Sequence, residues 1–346
     1  VPLPGLTVVE LGVDPSEALS RTPAAAGVGQ LLGPGGRNLL LAPASNLRRW
    51  ASAHLGRGKP PPPGRRPKTN LSGIATSLVW ARTANAFAQK LLYERLAAPL
   101  IPLAERRDLR PPAFLHLDPA ERFPRVTVRG TPQGSKGLFG PFPSRRAAER
   151  ARDAANHLFS LRPCDSAFEP DPDLPLGLGC LYAQVRSCAA PCLSRLSEED
   201  YRALAARAAA WLADPGEREN APASVPPAVG RAEGALALVV GVGRRELELY
   251  PVREGRVLDD AMVSAPPDQI DVAVRGLQWP ASPAPADWPW LAAWIASPRG
   301  RGTYIPVGDP DDRASLAAAV RHALPPRFAR PSSGDGDNVG SSRGRG

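Results

Sequence analysis

The chain holds four cysteines, Cys164, Cys180, Cys188 and Cys192, all within 29 positions of a 346-residue sequence. A thiolate is a nucleophile, a redox group or a soft metal ligand, and four in one short stretch suit a single metal centre. The spacing is C-x15-C-x7-C-x3-C. Structural zinc usually sits on two short knuckles, and only Cys188 and Cys192 form a short pair. Four-cysteine ligation also holds [4Fe–4S] clusters, whose spacings are looser. Leu181, Val185, Ala189, Ala190 and Pro191 supply the apolar wall that a cluster needs. Spacing leaves zinc and iron–sulfur both open, with unligated structural thiols as a third reading. Disulfides are not expected in a cytoplasmic setting.

The elements that must carry these residues follow from hydrophobic spacing. Leu6–Leu11 and Leu39–Leu41 read as strands, with a tight turn over Gly33-Pro34-Gly35-Gly36 and Asn38. Ser45-Asn46 is the N-cap signal for a helix with Leu47, Trp50, Ala51 and His54 at helical spacing. Residues 84–103 repeat apolar side chains at helical spacing (Phe87, Leu91, Leu92, Leu96, Leu100), with Pro99 and Pro102 disturbing the end. A strand pair is expected at 113–117 and 125–129. Ser144 opens a helix to Phe159, and Ser197 opens another with Glu198, Glu199 and Asp200 in its first turn. Beyond a Pro/Ala linker, Ala235–Val242, Glu246–Pro251 and Arg256–Ser264 read as a β-meander. Trp288, Trp290 and Trp294 stand at core spacing, a more common use than stacking on bases. Residues 316–324 form the last helix, and the Pro/Ser/Gly/Arg-rich tail from Pro325 onward is expected to be disordered.

Charge points to a polyanion. The chain has 43 Lys and Arg against 34 Asp and Glu, a net charge of +9, and only four of the cations are lysines. Arginine keeps its charge and contacts phosphate bidentately, and a basic excess raises the odds of a nucleic-acid partner. Gly56–Lys68 carries five cations, no acid and four consecutive prolines, so it is an extended basic loop, along a phosphate backbone or simply solvated. Arg145, Arg146, Arg150 and Arg152 give the 145–159 helix a basic outer face. Candidate DNA contacts are Arg48, Arg49, Arg57, Lys59, Arg65, Arg66, Lys68, Arg145, Arg146 and Arg152. No apolar run is long enough to cross a membrane, and no signal-peptide pattern stands at Val1-Pro2-Leu3-Pro4. The expectation is a soluble cytoplasmic protein with no membrane partner.

A family resemblance adds to this. Leu138-Phe139-Gly140-Pro141-Phe142-Pro143-Ser144, the helix to Leu158-Phe159, Leu161-Arg162-Pro163-Cys164, Cys180-Leu181-Tyr182, Cys188-Ala189-Ala190-Pro191-Cys192 and Leu196–Tyr201 resemble, in order and spacing, the UvrC subunit of the bacterial UvrABC excinuclease. The resemblance implies that Cys164, Cys180, Cys188 and Cys192 hold a [4Fe–4S] cluster, zinc remaining the alternative. It also implies a GIY-YIG nuclease domain upstream. Ala26-Gly27-Val28-Gly29 and Leu39–Trp50 are similar to that domain's two motifs, pinned by Asn46-Leu47-Arg48. Five positions depart from the pattern, among them Ala42 for the motif glycine and Pro43 for the lysine that follows it. The first motif tyrosine is Gly29, the second, expected at the general base, is Leu40, and the arginine expected on the scissile phosphate is Trp50. Leu91-Leu92-Tyr93-Glu94 resembles the run that ends in the metal-binding glutamate, so Glu94 is the surviving candidate, with Mg²⁺ or Mn²⁺ implied only if cleavage persists.

The fold expected is α+β: an N-terminal extension (1–23), a degenerate GIY-YIG-like mixed α/β domain (24–110), a helical cysteine module (111–214), a linker (215–231), a C-terminal α/β region with the meander (232–324) and a tail (325–346). The function expected is DNA binding in nucleotide excision repair. An active structure-specific endonuclease and a metal-stabilised scaffold without DNA contact are the alternatives. Other repair proteins are expected partners, although the UvrB-binding helical hairpin of the family is not evident.

Overall fold

The computed structural model describes residues 5–58, 68–102, 105–106, 112–118, 120–130, 137–142, 144–173, 180–213, 235–242, 246–280, 287–295, 303–307, 311–322 and 324. The candidates Lys59, Arg65 and Arg66, the linker 215–231 and the tail 325–346 lie outside them. The architecture is α+β, with three small antiparallel sheets among the described residues.

The first sheet comprises β1 (Thr7–Glu10), β2 (Gly27–Leu32), β3 (Asn38–Ala44) and β4 (Ser77–Arg82) in the order β1-β4-β2-β3. Helix α1 (Ser16–Arg21) follows β1, α2 (Leu47–His54) follows β3, and α3 (Ala86–Ala97) follows β4. The segment expected as an extension is part of this unit. β1 pairs with β4 from Thr7↔Trp80 to Glu10↔Ser77, and Val9 is buried in the same core as Leu31 and Trp80. Backbone pairing and one inward apolar side chain recruit it. Asn46 and Asn85 cap α2 and α3 by accepting from Arg49 N at 2.9 Å and Ala88 N at 2.8 Å. The α3 helix is shorter than the spacing suggests, ending at Ala97, because Pro99 has no N–H to continue it.

The second unit holds β5 (Ala113–His116), β6 (Thr127–Arg129) and β7 (Leu138–Phe142), ordered β6-β5-β7. Helix α4 (Arg145–Phe159), the single turn α5 (Leu181–Gln184) and α6 (Glu198–Ala213) complete it. Ser144 and Ser197 cap α4 and α6 as their sequences indicate. Both helices present alanine stripes to one core, Ala148, Ala151 and Ala155 against Ala205, Ala208 and Leu212, closed by Leu115, Leu117, Phe139 and Phe142. Small side chains let the helices approach closely, and each fully buried Leu or Phe contributes about 1.5–3 kcal/mol.

The third unit contains β8 (Ala235–Val242), β9 (Glu246–Arg253), β10 (Arg256–Val257), β11 (Val263–Ala265), α7 (Ile270–Gly276), α8 (Trp288–Ile295), β12 (Thr303–Val307) and α9 (Arg313–His322). The sheet order is β10-β9-β8-β12, with β11 also pairing to β9. The expected strand 256–264 is two short strands, because a turn at Asp259–Ala261 interrupts it. Alternation along β9 serves two cores: Leu247 and Leu249 face α7 and α9, whereas Tyr250 and Val252 face α8. Gly255 sits at φ +78°, where a Cβ would come within 2.1 Å of the Trp288 ring, so the turn admits only glycine.

Trp288 and Trp290 are core, as their spacing indicates. They pack with Tyr250, Val257 and Leu291, and also with Phe87 and Leu91 from α3 and Phe114 and Leu138 from the middle sheet. All three units therefore share one aromatic core. Polar contacts reinforce it: Arg95 Nη1 meets Asp287 Oδ1 at 2.6 Å, and Arg95 Nη2 donates to Val257 O at 2.9 Å. Glu248, buried beside this core, accepts from Asn85 Nδ2 and from the Tyr250 hydroxyl.

Candidate functional site

The cysteines are positioned by irregular backbone anchored to two helices. The α4 helix ends in Ser160 at φ +50°, and Ser160 O accepts from Ala189 N at 2.8 Å, tying the later cysteine loop to the helix end. The Tyr201 hydroxyl, fully buried on α6, accepts from Arg162 N at 2.8 Å and donates to Pro124 O at 3.2 Å. Cys164 lies two residues beyond that anchor. Cys180 precedes α5, and Cys192 lies in the 3₁₀ turn Pro191–Leu193. Asp171 N donates to Cys192 O at 3.0 Å. Arg186, Ala190 and Ser194 all have φ between +51° and +54°. With Ser160 they concentrate left-handed backbone around the sulfurs, a conformation that side chains adopt only where the surroundings impose it.

All four cysteines are free thiols of intermediate exposure. Ala190 N donates to Cys188 Sγ at 3.3 Å. Burial pushes the Cys188 thiol up, and Cys164, Cys192 and Cys180 push it further as like charges. Burial, then Cys180 and Cys164, does the same to Cys192. The sulfurs thus share one electrostatic neighbourhood in which deprotonation is self-opposing, the condition that a bound cation relieves. The protein alone does not draw them together fully: among the described residues, no group of three or more His, Cys, Asp or Glu stands close enough to hold a metal ion.

The positions aligned with the nuclease motifs fall on two faces of the first sheet. Gly29 stands two residues from Leu31 on β2, and Leu40 pairs with Leu31, so all three lie on the side covered by α2. Trp50, on α2, lays its ring on Gly29, and its ring centre lies 5.6 Å from that of His54 with the planes tilted by 55°. Glu94 is on α3, which covers the opposite face through Val28, Leu41 and Ala97. It is 3% exposed, with Oε1 2.6 Å from Lys90 Nζ and Oε2 3.0 Å from Arg106 Nη1. The sheet stands between Glu94 and the other three positions, and both of its carboxylate oxygens are engaged within the chain.

The basic candidates also divide. Arg48 donates to Thr22 O at 2.8 Å and Ser20 O at 3.3 Å, closing the end of α1. Arg57 pairs with Asp14, Arg145 with Glu149 and Arg152 with Asp153, each within 2.9 Å. Arg49, Lys68 and Arg146 are exposed. Two residues of the cysteine region escaped the candidate set although they sit at its centre. Arg162, whose Nη1 stands 4.0 Å from Cys164 Sγ, was signalled only by its place two residues before a cysteine. Tyr201 reads in sequence as one of a buried stripe, and nothing there marks its hydroxyl.

Residues 113–211, from β5 through α6 and including all four cysteines, match the family model of the UvrC/Cho excinuclease, middle domain. UvrABC system protein C of Alcanivorax borkumensis is 28% identical over 200 residues, covering 58% of this chain and 32% of that protein. The Rhodospirillum rubrum protein of the same name is 31% identical over 207 residues, covering 58% and 31%. That of Novosphingobium aromaticivorans is 35% identical over 136 residues, covering 38% and 20%. The chain thus spans about a third or less of the length of these curated relatives. No solved structure matches it. Over residues 113–211 the chain is related to the UvrC/Cho excinuclease middle domain, and over more than half its length to UvrABC system protein C.

Proposed function

We propose that this chain is a cytoplasmic DNA-binding protein of UvrC-type nucleotide excision repair, with a metal-held cysteine module and a nuclease-like sheet that does not cut. One observation carries the reading: the segment that matches the UvrC/Cho middle domain is the segment that contains all four cysteines. Cys164, Cys180, Cys188 and Cys192 would hold a [4Fe–4S] cluster, with zinc as the alternative. The donor set of four cysteines suits such a group by its chemistry, although the sulfurs do not stand close enough together to hold it as the chain is folded. Its contribution here would be folding free energy for the 160–195 loop.

The first sheet is read as a degenerate GIY-YIG domain. Phosphodiester hydrolysis needs a metal, a base and a cation for the developing charge. Leu40 accepts no proton, Trp50 carries no charge, and loss of one such transition-state contact alone costs about 3–4 kcal/mol. Mg²⁺ or Mn²⁺ would have to displace Lys90 and Arg106 from Glu94. DNA contact would fall to Arg49, Lys68 and Arg146 with Arg65 and Arg66, and other repair proteins are the natural partners. The pairing of Arg48, Arg57, Arg145 and Arg152 within the chain favours, as a second reading, a scaffold that does not touch DNA.

The test uses full-length protein purified without oxygen. Iron and acid-labile sulfide, duplex binding that weakens with salt, and no nicking with Mg²⁺ or Mn²⁺ are expected. Absence of binding at low salt transfers the case to the scaffold. Nicking abolished by Glu94→Gln replaces the reading with an active endonuclease.

A further inference from the structure

The α5 turn leaves three large apolar side chains in solvent. Leu181, Tyr182 and Val185 are 66%, 43% and 62% exposed. Other exposed apolar side chains, such as Ile74, Leu100 and Val272, stand singly along the chain, and single ones are ordinary. Three within five positions form a patch. In sequence Leu181 and Val185 suit an apolar wall around the cysteines. In the fold Ala183, Ala190 and Leu193 take that place beside Cys180 and Cys192, and Leu181, Tyr182 and Val185 are left outside it. The backbone that presents them is held: Val185 N donates to Leu181 O at 3.0 Å, Ser187 N to Tyr182 O at 3.0 Å and Ala189 N to Ser160 O at 2.8 Å.

Charge selects the occupant. Residues 180–195 carry Arg186 and Arg195, both exposed, and no Asp or Glu. Arg186 follows Val185 directly, and Arg195 stands two residues after Leu193, which packs with Ala183 of α5. Among the described residues, the ion pairs of this unit run through Arg122, Arg145, Arg152 and Arg202 and leave Arg186 and Arg195 free. An apolar patch flanked by free cations suits a polyanion that also offers apolar faces. Paired DNA offers phosphate but keeps its base faces stacked inside, whereas unpaired DNA offers both. Aromatic side chains stack on such bases, and aliphatic ones wedge beside them. An acidic protein helix would meet the same charge, but α5 is one turn of four residues, too short to cover a helix face, while a base needs only one ring. We propose that α5 is a binding site for unpaired DNA: Tyr182 stacks on a base, Leu181 and Val185 cover its edge, and Arg186 and Arg195 take the flanking phosphates. This rests on the reading of the chain as a DNA-binding protein, and adds which surface takes unpaired rather than paired strands.

The experiment measures the affinity of full-length wild type, Tyr182→Ala and Tyr182→Phe for three probes of equal length: a thymidine single strand, a fully paired duplex and a duplex with an unpaired central bubble. Loss of one stacked base weakens binding by about 5–100-fold. Tyr182→Ala is expected to lose about that factor on the single strand and the bubble and nothing on the paired duplex. Tyr182→Phe keeps the ring and binds as wild type. Alanine at Arg186 and Arg195 flattens the single-strand salt slope by about 0.7 for each arginine. Leu181→Ser and Val185→Ser, at more exposed positions, give the same reading should Tyr182→Ala lower the melting temperature. Unchanged single-strand affinity in Tyr182→Ala, or an equal loss on paired duplex, overturns the proposal and leaves the DNA-binding reading standing. Wild type that binds none of the three probes removes both. Tyr182-dependent binding of an acidic, leucine-bearing helical peptide in place of the single strand assigns the patch to a protein and also overturns the proposal.

Discussion

Trp50 lies on Gly29. A Cβ built on that glycine would come within 2.4 Å of the Trp50 ring, so the indole occupies the space that a side chain on β2 would take. Under the proposed reading of this sheet as a degenerate nuclease domain, Gly29 and Trp50 are two of the departing positions. They depend on one another: the strand position carries no side chain, and the apolar ring from α2 fills the space above it. The apolar contact also explains why Trp50 is half-buried with Leu40 and Leu31 rather than free in solvent.

Coupling between these two residues is measurable. Gly29→Ala alone forces the indole aside and is expected to destabilise the chain by about 1–3 kcal/mol. On a Trp50→Ala background the same change should cost close to nothing. A double-mutant cycle from urea unfolding checks this, and additive single-mutant costs would refute the contact.

Tyr201→Phe removes the acceptor for Arg162 N–H and the donor to Pro124 O without changing shape. Leaving Arg162 N–H unpaired in a buried place should cost about 1–3 kcal/mol. Thermal unfolding of wild type and variant reads it, and equal stability would place the anchor elsewhere.

Arg95 and Asp287 join units 192 residues apart in sequence. Burial holds the Asp287 carboxyl above the ordinary carboxylate range, with Arg95 pulling against it. A raised folded-state value means that the native state binds this proton more tightly than the unfolded chain. The favourable contribution of protonated Asp287 is complete in acid and is lost as pH rises through the raised value. Arg95→Met removes the opposing charge and should cost about 3–5 kcal/mol at neutral pH. The deficit should shrink towards acid, where Asp287 is neutral. A deficit that stays constant with pH would show that lost packing, not charge, is responsible.

Metal removal should act locally. If the proposed metal centre is held there, treating the protein with chelator, or replacing Cys188 or Cys192 by Ser, is expected to loosen residues 160–195, because ligation would contribute folding free energy. Amide exchange should rise in that loop while β8 and β9 keep their protection. Uniform protection after metal loss would mean that the loop is held by Tyr201 and Ser160 alone.

DNA affinity should follow salt. If four or five cations engage phosphate, log K against log salt should slope at roughly −4, about 0.9 per contact. Alanine at Arg65, Arg66 and Lys68 together should flatten the slope by up to about 3 units. Arg48→Ala should instead lower stability and leave the slope intact, because Arg48 holds the end of α1. Loss of slope with Arg48→Ala would reverse that assignment.

What the sequence determined by itself was local or compositional. Asn46, Ser144 and Ser197 bond to backbone N–H groups three residues on, so each cap is fixed by a few neighbouring positions and can be read there. The crowding of four cysteines and the tryptophan spacing of α8 are likewise written in short segments. Tertiary structure alone decided what depends on strand order and face. β1 enters the first sheet because β4, about 70 residues later, offers its edge. Glu94 and Gly29 stand on opposite sides of that sheet because α2 and α3 cover different faces, which no alignment of motifs reveals. Arg95 finds Asp287, and Arg162 is left with a spare buried N–H, only once distant segments are packed. Such pairings are selected by the burial of the whole aromatic and alanine-rich core, and burial is a property of the assembled chain rather than of any one stretch of it.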